Sequence, residues 1–429
     1  MIEELIDFIE KTPTSFHAAE NVAKELSEHG FSELEEGAPF HLEKGKDYFV
    51  RRNGSSLIAF RIGNSVKEIS YQIVAAHGDS PCFKIKPISD GKSDIYRRVN
   101  VEPYGGMLCS TWLDRPLSIA GRAMVKEGEH VVSRLINVEE PMMLMPNMCI
   151  HFSRQANSGY AYDMAKDMQP FVGQDDEREF KEMLSERLGC LKDQIVHCDL
   201  FAYHAQRGYL WGKNKEYLTS PRLDDLECVF VAMKSFISSS NDNIVTVFAV
   251  FDNEEVGSKT RQGADSDFLF KTLKRISFAL DLSEEEHECA LASSFLISAD
   301  NAHAVHPNHP SMTDPDNKVY MNRGIVIKAN AAQSYTSDGF SSAVMEEICH
   351  RADVPYQHFT NRSDVRGGST LGNLSTSQVS ILAVDIGLSQ LAMHSSMETA
   401  GAEDIAYLKK ALDIFYSRKI KIDGRGFSL

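Results

Sequence analysis

The stretch Asp252-Asn253-Glu254-Glu255-Val256-Gly257-Ser258 puts three carboxylates into four consecutive positions. Carboxylates this close repel one another and raise each other's pKa unless a cation holds them. A divalent metal, with one Glu as ligand and the other as base, would relieve the repulsion. A solvated acidic turn is the ordinary alternative. Four other places add ligand-type residues: His77 in His77-Gly78-Asp79-Ser80-Pro81, Asp224 in Leu223-Asp224-Asp225-Leu226, Asp300, and His394 in Ala392-Met393-His394-Ser395. Asp79, two residues after His77, is the kind of carboxylate that fixes the second N–H of a ligating imidazole. Taken singly, a packed histidine, a helix-start aspartate or a turn cap would explain each of them. Taken together, His77, Asp224, Glu255, Asp300 and His394 form a His/Asp/Glu/Asp/His set. Two divalent ions need that mixture: one bridging carboxylate, with one His and one carboxylate at each end.

Such residues must be held by rigid elements, and the chain offers them. Residues 244–251, 69–76, 294–299 and 379–386 are apolar, β-branched runs that read as buried strands of an α/β sheet. The acidic stretch, His77 and Asp300 each follow such a run directly, and His394 follows a short loop later. Open α/β sheets bind their ligands at this carboxyl edge. A helical pattern from Leu223 to about Phe236 places Asp224 in its first turn, and residues 4–29 read as one helix stopped by Gly30. From about residue 90 to 220 the ligand motifs vanish. That stretch holds hairpin-like pieces at 123–129 and 130–138 and an acidic helical segment, Asp175–Leu188. The organisation expected is therefore 1–89, an insertion at 90–220, and 221–429.

At this point the chain resembles the aspartyl aminopeptidase family of metallopeptidases. The resemblance is carried in order by residues 77–81, by Ser110-Thr111-Trp112-Leu113-Asp114-Arg115 with Ala120-Gly121-Arg122, by Ser220-Pro221-Arg222-Leu223-Asp224, by 252–258, by the segment from Ser298-Ala299-Asp300 to Asn308, and by Gln390-Leu391-Ala392-Met393-His394-Ser395. It implies a zinc-peptidase domain with a central mixed sheet flanked by helices, interrupted by a β-rich dimerisation domain. It implies two divalent ions per subunit, Zn2+ first and Mn2+ or Co2+ as alternatives. His77 and Asp300 would hold one ion, Glu255 and His394 the other, and Asp224 would bridge. Glu254 would be the general base acting on a metal-bridging water, with Asp79 as its catalytic companion. Lys328, in Val326-Ile327-Lys328-Ala329-Asn330-Ala331, would face the acidic side chain of an N-terminal Asp or Glu. His151 would reach the active site of the neighbouring subunit, and dimers would assemble into a dodecamer. The loop Arg366-Gly367-Gly368-Ser369-Thr370 departs from the family's usual Pro-containing loop. His303, His306 and His309 cluster after Asp300 but read as a turn rather than as ligands.

Composition narrows the partners. Net charge is −16, which argues against nucleic acid and anionic membranes and favours peptide substrates whose selection comes from a local cation. Hydrophobic content of 42% and charged content of 25% are ordinary for a globular enzyme. The start is acidic and unlike a secretory signal, and the eight cysteines form no CxxC pair, so a cytoplasmic enzyme is expected; that it is a homo-oligomer is what the resemblance implies. Two other readings stay open: a related co-catalytic metallohydrolase (a broad or Leu-preferring aminopeptidase, or a deacylase), and a non-catalytic assembly protein.

Overall fold

The four apolar runs lie side by side in the computed structural model, which describes residues 1–174 and 179–429. Val245–Phe251, Tyr71–His77, Phe295–Ala299 and Leu382–Gly387 are parallel neighbours. They sit within a nine-stranded sheet that also takes in Ser32–Leu34, Asp47–Arg52, Ser56–Ile62, Ile325–Lys328 and Tyr356–Phe359. Antiparallel pairing on both flanks makes the sheet mixed. Strand side chains alternate between faces. Phe248 and Val250 accordingly join the core beneath helices Leu223–Ser238 and Asp404–Ser417, while Val247, Ala249 and Phe251 join the core beneath Phe268–Ala279. Both faces are covered, so the strands read as unbroken apolar runs.

A second sheet of six antiparallel strands has its own core around Phe83, Trp112 and Leu117. Its strands Leu117–Glu127 and His130–Asn137 form the expected hairpin, turning at Gly128 with a φ of +62°. Sheet membership changes at Cys82, ahead of the expected boundary at 90, because Cys82–Ser93 already pairs with Tyr96–Tyr104 and Ile195–His204. At the other end, Tyr209–Trp211 and Tyr217–Ser220 join a five-stranded sheet with Ser389–Leu391 and Glu398–Gly401 rather than the insertion. Neither junction coincides with a shift in composition. Within Asp175–Leu188, a helix runs Phe180–Leu188 from a capping box at Glu179. Residues 175–178 lie outside the described residues.

Two expectations need correction. Residues 4–29 are not one helix but two, Ile2–Glu10 and Ser15–Glu28. Pro13 breaks them, since it lacks an N–H and disfavours helical geometry at the residue before it. Asp224 also departs from the helical turn expected of it: its φ/ψ of −82°/107° and those of Asp225, −120°/22°, are non-helical, and the peptide between them is cis. Among the described residues, no helix is long and apolar enough to cross a membrane.

Phe248 is fully buried and packs its ring 6.0 Å from that of Phe236. Truncating such a ring costs about 3–5 kcal/mol. Phe248→Ala should therefore lower the urea unfolding midpoint markedly with the slope unchanged, and an unmoved midpoint would contradict this packing.

Candidate metal centre

His77 is the last residue of its strand and Phe251 is its register partner on the neighbouring strand, so the 252–258 loop emerges beside it. The carboxylate of Asp79 shapes both. Its Oδ1 accepts from the Glu254 amide at 3.1 Å, and its Oδ2 from the Glu255 amide at 3.2 Å and the Tyr104 hydroxyl at 2.7 Å. These bonds tighten Glu254–Val256 into a 3-10 turn after Asn253, which adopts a left-handed φ of 63°. The Asp79 backbone carbonyl lies 3.1 Å from His77 Nδ1. With Nδ1–H donating there, the lone pair of Nε2 points into the site. Asp79 thus acts through other residues and is a positioning residue.

Asp224 stands at the centre. One carboxylate oxygen lies 3.5 Å from His77 Nε2 and the other 3.4 Å from His394 Nε2. His394 Nε2 also lies 3.4 Å from Glu255 Oε2. His77, Asp224 and Glu255 bring three ligand-type atoms within 4.8 Å of one another. His394 occupies the loop of the hairpin between Ser389–Leu391 and Glu398–Gly401, at a left-handed φ of 65°. Asp300 follows Phe295–Ala299 and lines a cavity of about 180 Å³ with His77, Asp224, Glu254 and His394.

The electrostatics of this cluster call for positive charge. Burial raises the pKa of Glu255 well above the ordinary carboxylate value, and Asp224 adds to the shift. Burial likewise pushes Glu254 up to about 8, with His77 opposing and Asp300, Asp79 and Asp224 assisting. Burial opposes the charged form of Asp224 too, but the attraction of the nearby His394 and His77 imidazoles wins and holds its pKa down. His77 is raised well above the imidazole range: burial opposes, and Asp224 and Asp79 prevail. Asp224 Oδ1 and Glu255 Oε1 are enclosed and lack a hydrogen-bond partner. Enclosed, unpartnered carboxylate oxygens facing imidazole nitrogens fit divalent metal ions.

Lys328 reaches the same cavity. Its buried ammonium donates to the Asn301 carbonyl at 2.8 Å and to Asp300 Oδ1 at 3.4 Å. It is not the snorkelling surface lysine that a strand-end position allows. His151 is exposed in the turn-rich segment after 146 and does not line this chain's cavity. His303 does line it, whereas His306 and His309 pair with each other at 5.0 Å between rings. Gly368, Ser369 and Thr370 bring the divergent loop to the rim.

Sequence reasoning missed Glu398. It is buried, and its two oxygens accept from the Asp224 amide at 2.9 Å and the His394 amide at 2.7 Å. One side chain thereby fixes the backbone of two candidate ligands. The available signal was a carboxylate four residues after His394. Ser80 Oγ adds a bond to the Asp224 carbonyl at 2.7 Å, and the His77 amide donates to Asp225 at 3.2 Å. The 105–111 segment that follows a strand of the second sheet contributes as well: the Leu108 amide donates to the His394 carbonyl at 3.0 Å and the Ser396 amide to Thr111 Oγ1 at 2.9 Å.

A mixed α/β sheet flanked by helices, with a buried His/carboxylate cluster at its carboxyl edge, defines a metallohydrolase-type architecture. The aminopeptidase I zinc metalloprotease (M18) model matches residues 8–416. A probable M18 family aminopeptidase 2 of Clostridium novyi is 43% identical over 424 residues, covering 96% of this chain and 98% of that protein. Among solved structures, that of the Ape4 and Nbr1 complex superposes with a TM-score of 0.93 at 34% identity, over 96% of this chain and 84% of that one. A S. cerevisiae mApe1 dodecamer does so with a TM-score of 0.84 at 28% identity, over 96% and 95%. The chain belongs to the aminopeptidase I zinc metalloprotease family, M18, the family of the aspartyl aminopeptidases. It is a metal-dependent aminopeptidase, a hydrolase.

Groups that orient ligands typically contribute 10–100-fold to metal affinity. Glu398→Ala should weaken zinc binding by about that factor in competition with a chromophoric chelator. Unchanged affinity would mean that the two backbone bonds do not hold Asp224 and His394 in place.

Proposed function

We propose that this chain is a two-metal aminopeptidase that releases acidic residues, Asp or Glu, from peptide N-termini. The observation that carries the reading is the Asp224 carboxylate, whose two oxygens face two different imidazoles at 3.5 and 3.4 Å. Asp224 would bridge two ions, with His77 and Asp300 completing one set and His394 and Glu255 the other. Zinc fits this donor set, and Mn2+ or Co2+ suits its carboxylates too. When bound, such ions supply Lewis acidity and lower the pKa of water toward ~7.

The protein's own groups do the rest. Glu254 lines the cavity without an ion pair of its own, and its raised pKa suits a group that takes a proton near neutrality. It would accept the proton of the attacking water and return it to the leaving amine. Asp79 keeps Glu254 and Glu255 apart by fixing both their amides, so one can ligate while the other moves a proton. Lys328 would receive the side-chain carboxylate of an N-terminal Asp or Glu, because it supplies the local cation that a chain of −16 net charge otherwise lacks there.

Assembly extends the same reading. Phe152, beside His151, is 84% exposed, and Met148 and Ile150 are exposed with it. An apolar, unpartnered segment suits burial by a second subunit, and His151 would then enter the neighbour's cavity in a dimer-built dodecamer. All eight cysteines are free thiols, which supports a reducing compartment such as the cytoplasm. The metallohydrolase rival, a Leu-preferring peptidase or deacylase, differs in its substrate and not in its metal chemistry.

Glu254→Gln keeps the shape and removes the proton acceptor. It should retain the wild-type metal content, two ions per subunit by elemental analysis, while kcat falls about 10²–10⁴-fold. Near-normal turnover with full metal content would remove Glu254 from the base role.

Losing one partner of a desolvated charge pair costs about 2–5 kcal/mol. Lys328→Ala should therefore reduce kcat/KM on Asp and Glu amides far more than on Leu amides. Metal content must be measured alongside, because the ammonium also touches Asp300. An unchanged Asp-to-Leu ratio would favour the broader-specificity enzyme.

A further inference from the structure

A second cavity, of about 230 Å³, lies behind the metal centre where the start of the chain, the inserted sheet and the 220–224 segment meet. No step of the reaction uses it. Its polar groups divide unequally. The carboxylates on its walls are all committed. Asp79 accepts from two amides and the Tyr104 hydroxyl, and Glu398 from two amides. Asp199 pairs with Arg122 at 2.8 Å and Lys84 at 3.4 Å, and Asp252 accepts from the Asn253 amide at 2.8 Å.

Among the described residues, several individual nitrogens on the same walls lack a partner. His204 is 2% exposed, and neither ring nitrogen has a partner. Arg222 donates to the carbonyls of Ile9 at 2.9 Å and His204 at 3.5 Å, but its Nε is enclosed and unpartnered. Among the described residues, no carboxylate pairs with Arg222. Arg122 Nε and Trp112 Nε1, on the same walls, are also enclosed without a partner. Burial, with the Arg222 charge behind it, lowers His204 to about 4, so at neutral pH its ring is uncharged and offers one N–H.

We propose that Arg222 and His204 form a buried binding site for a small monovalent anion, a halide or a carboxylate, at the joint behind the metal centre. The guanidinium supplies the charge, and the imidazole, with the neighbouring indole and guanidinium N–H groups, supplies donors that water would satisfy only partly. The anion would tie together the end of the first helix, the inserted sheet and the residues that lead into Asp224. It would act on stability, not on the reacting atoms. The site is independent of the acidic specificity and the metal count proposed above.

The test uses the metal-loaded, full-length enzyme. Crystals soaked in sodium bromide, measured at the bromine edge, should give an anomalous peak within hydrogen-bond reach of Arg222 Nε and the His204 ring. In solution, replacing gluconate, a bulky and heavily hydrated anion, with bromide or acetate at constant ionic strength should raise Tm by roughly 2 °C or more, in a saturable way. A response to bromide alone would identify the anion as a halide, and one to acetate alone as a carboxylate. His204→Leu should flatten the curve, and His204→Gln, which keeps a donor, should restore most of it. Solvent density alone at the site, or equal Tm responses in wild type and His204→Leu, would overturn the proposal.

Discussion

Asp224 brings a carboxylate into a space enclosed by two imidazoles and bordered by Glu255, Glu254 and Asp300. Charges of one sign cannot be gathered out of water without a counter-charge. That constraint explains the surrounding architecture. Strand ends bring His77 and Asp300 to the site, because parallel strands direct their carboxyl termini to one edge of the sheet. The hairpin that carries His394 is held open by Glu398, which grips it and the Asp224 backbone at once. Burial first, and the neighbouring carboxylates second, favour protonated Glu254 and Glu255, while Asp224 and Asp79 favour a protonated His77.

The second sheet helps to position the metal centre. Tyr104 donates to Asp79, and Asp79 fixes the Glu254 and Glu255 amides. Leu108 and Thr111 fasten the His394 loop. Chemistry built on the central sheet is therefore positioned in part by the second one. The chain enters the second sheet at Cys82, soon after the strand that ends in His77, and so lies beside the residues it steadies.

Under the proposed function, Lys328 would tie specificity to the metal centre. Its ammonium lies between an Asp300 oxygen and the Asn301 carbonyl, within the cavity that holds the other ligand candidates. A substrate carboxylate binding there would compete with Asp300 for the same cation, and an ion on Asp300 would release the lysine toward the substrate. In that reading, metal loading and acidic selectivity would be coupled through one oxygen atom.

The sequence alone determined the strands and singled out most of the candidate ligands. Apolar β-branched runs must be buried, and a His or carboxylate directly after such a run must emerge at the sheet edge; both facts are local. His77, Glu255 and Asp300 were legible for this reason, and the 117–137 hairpin was legible from its turn. Other features were decided by contacts distant in sequence. Glu398 has no distinguishing local pattern, and its role exists only because Asp224 folds to within 2.9 Å of it. Asp224 looked like a helix-start residue, yet it leaves helical geometry to face two histidines drawn from opposite ends of the chain. The change of sheet at Cys82 leaves no compositional mark, since an antiparallel strand can begin in any alternating segment. Lys328 reads as a strand-end lysine until Asp300, brought in by a different strand, meets it. Local patterning fixes which residues are buried and where strands end. Only the closed sheet decides which of those ends share a charge.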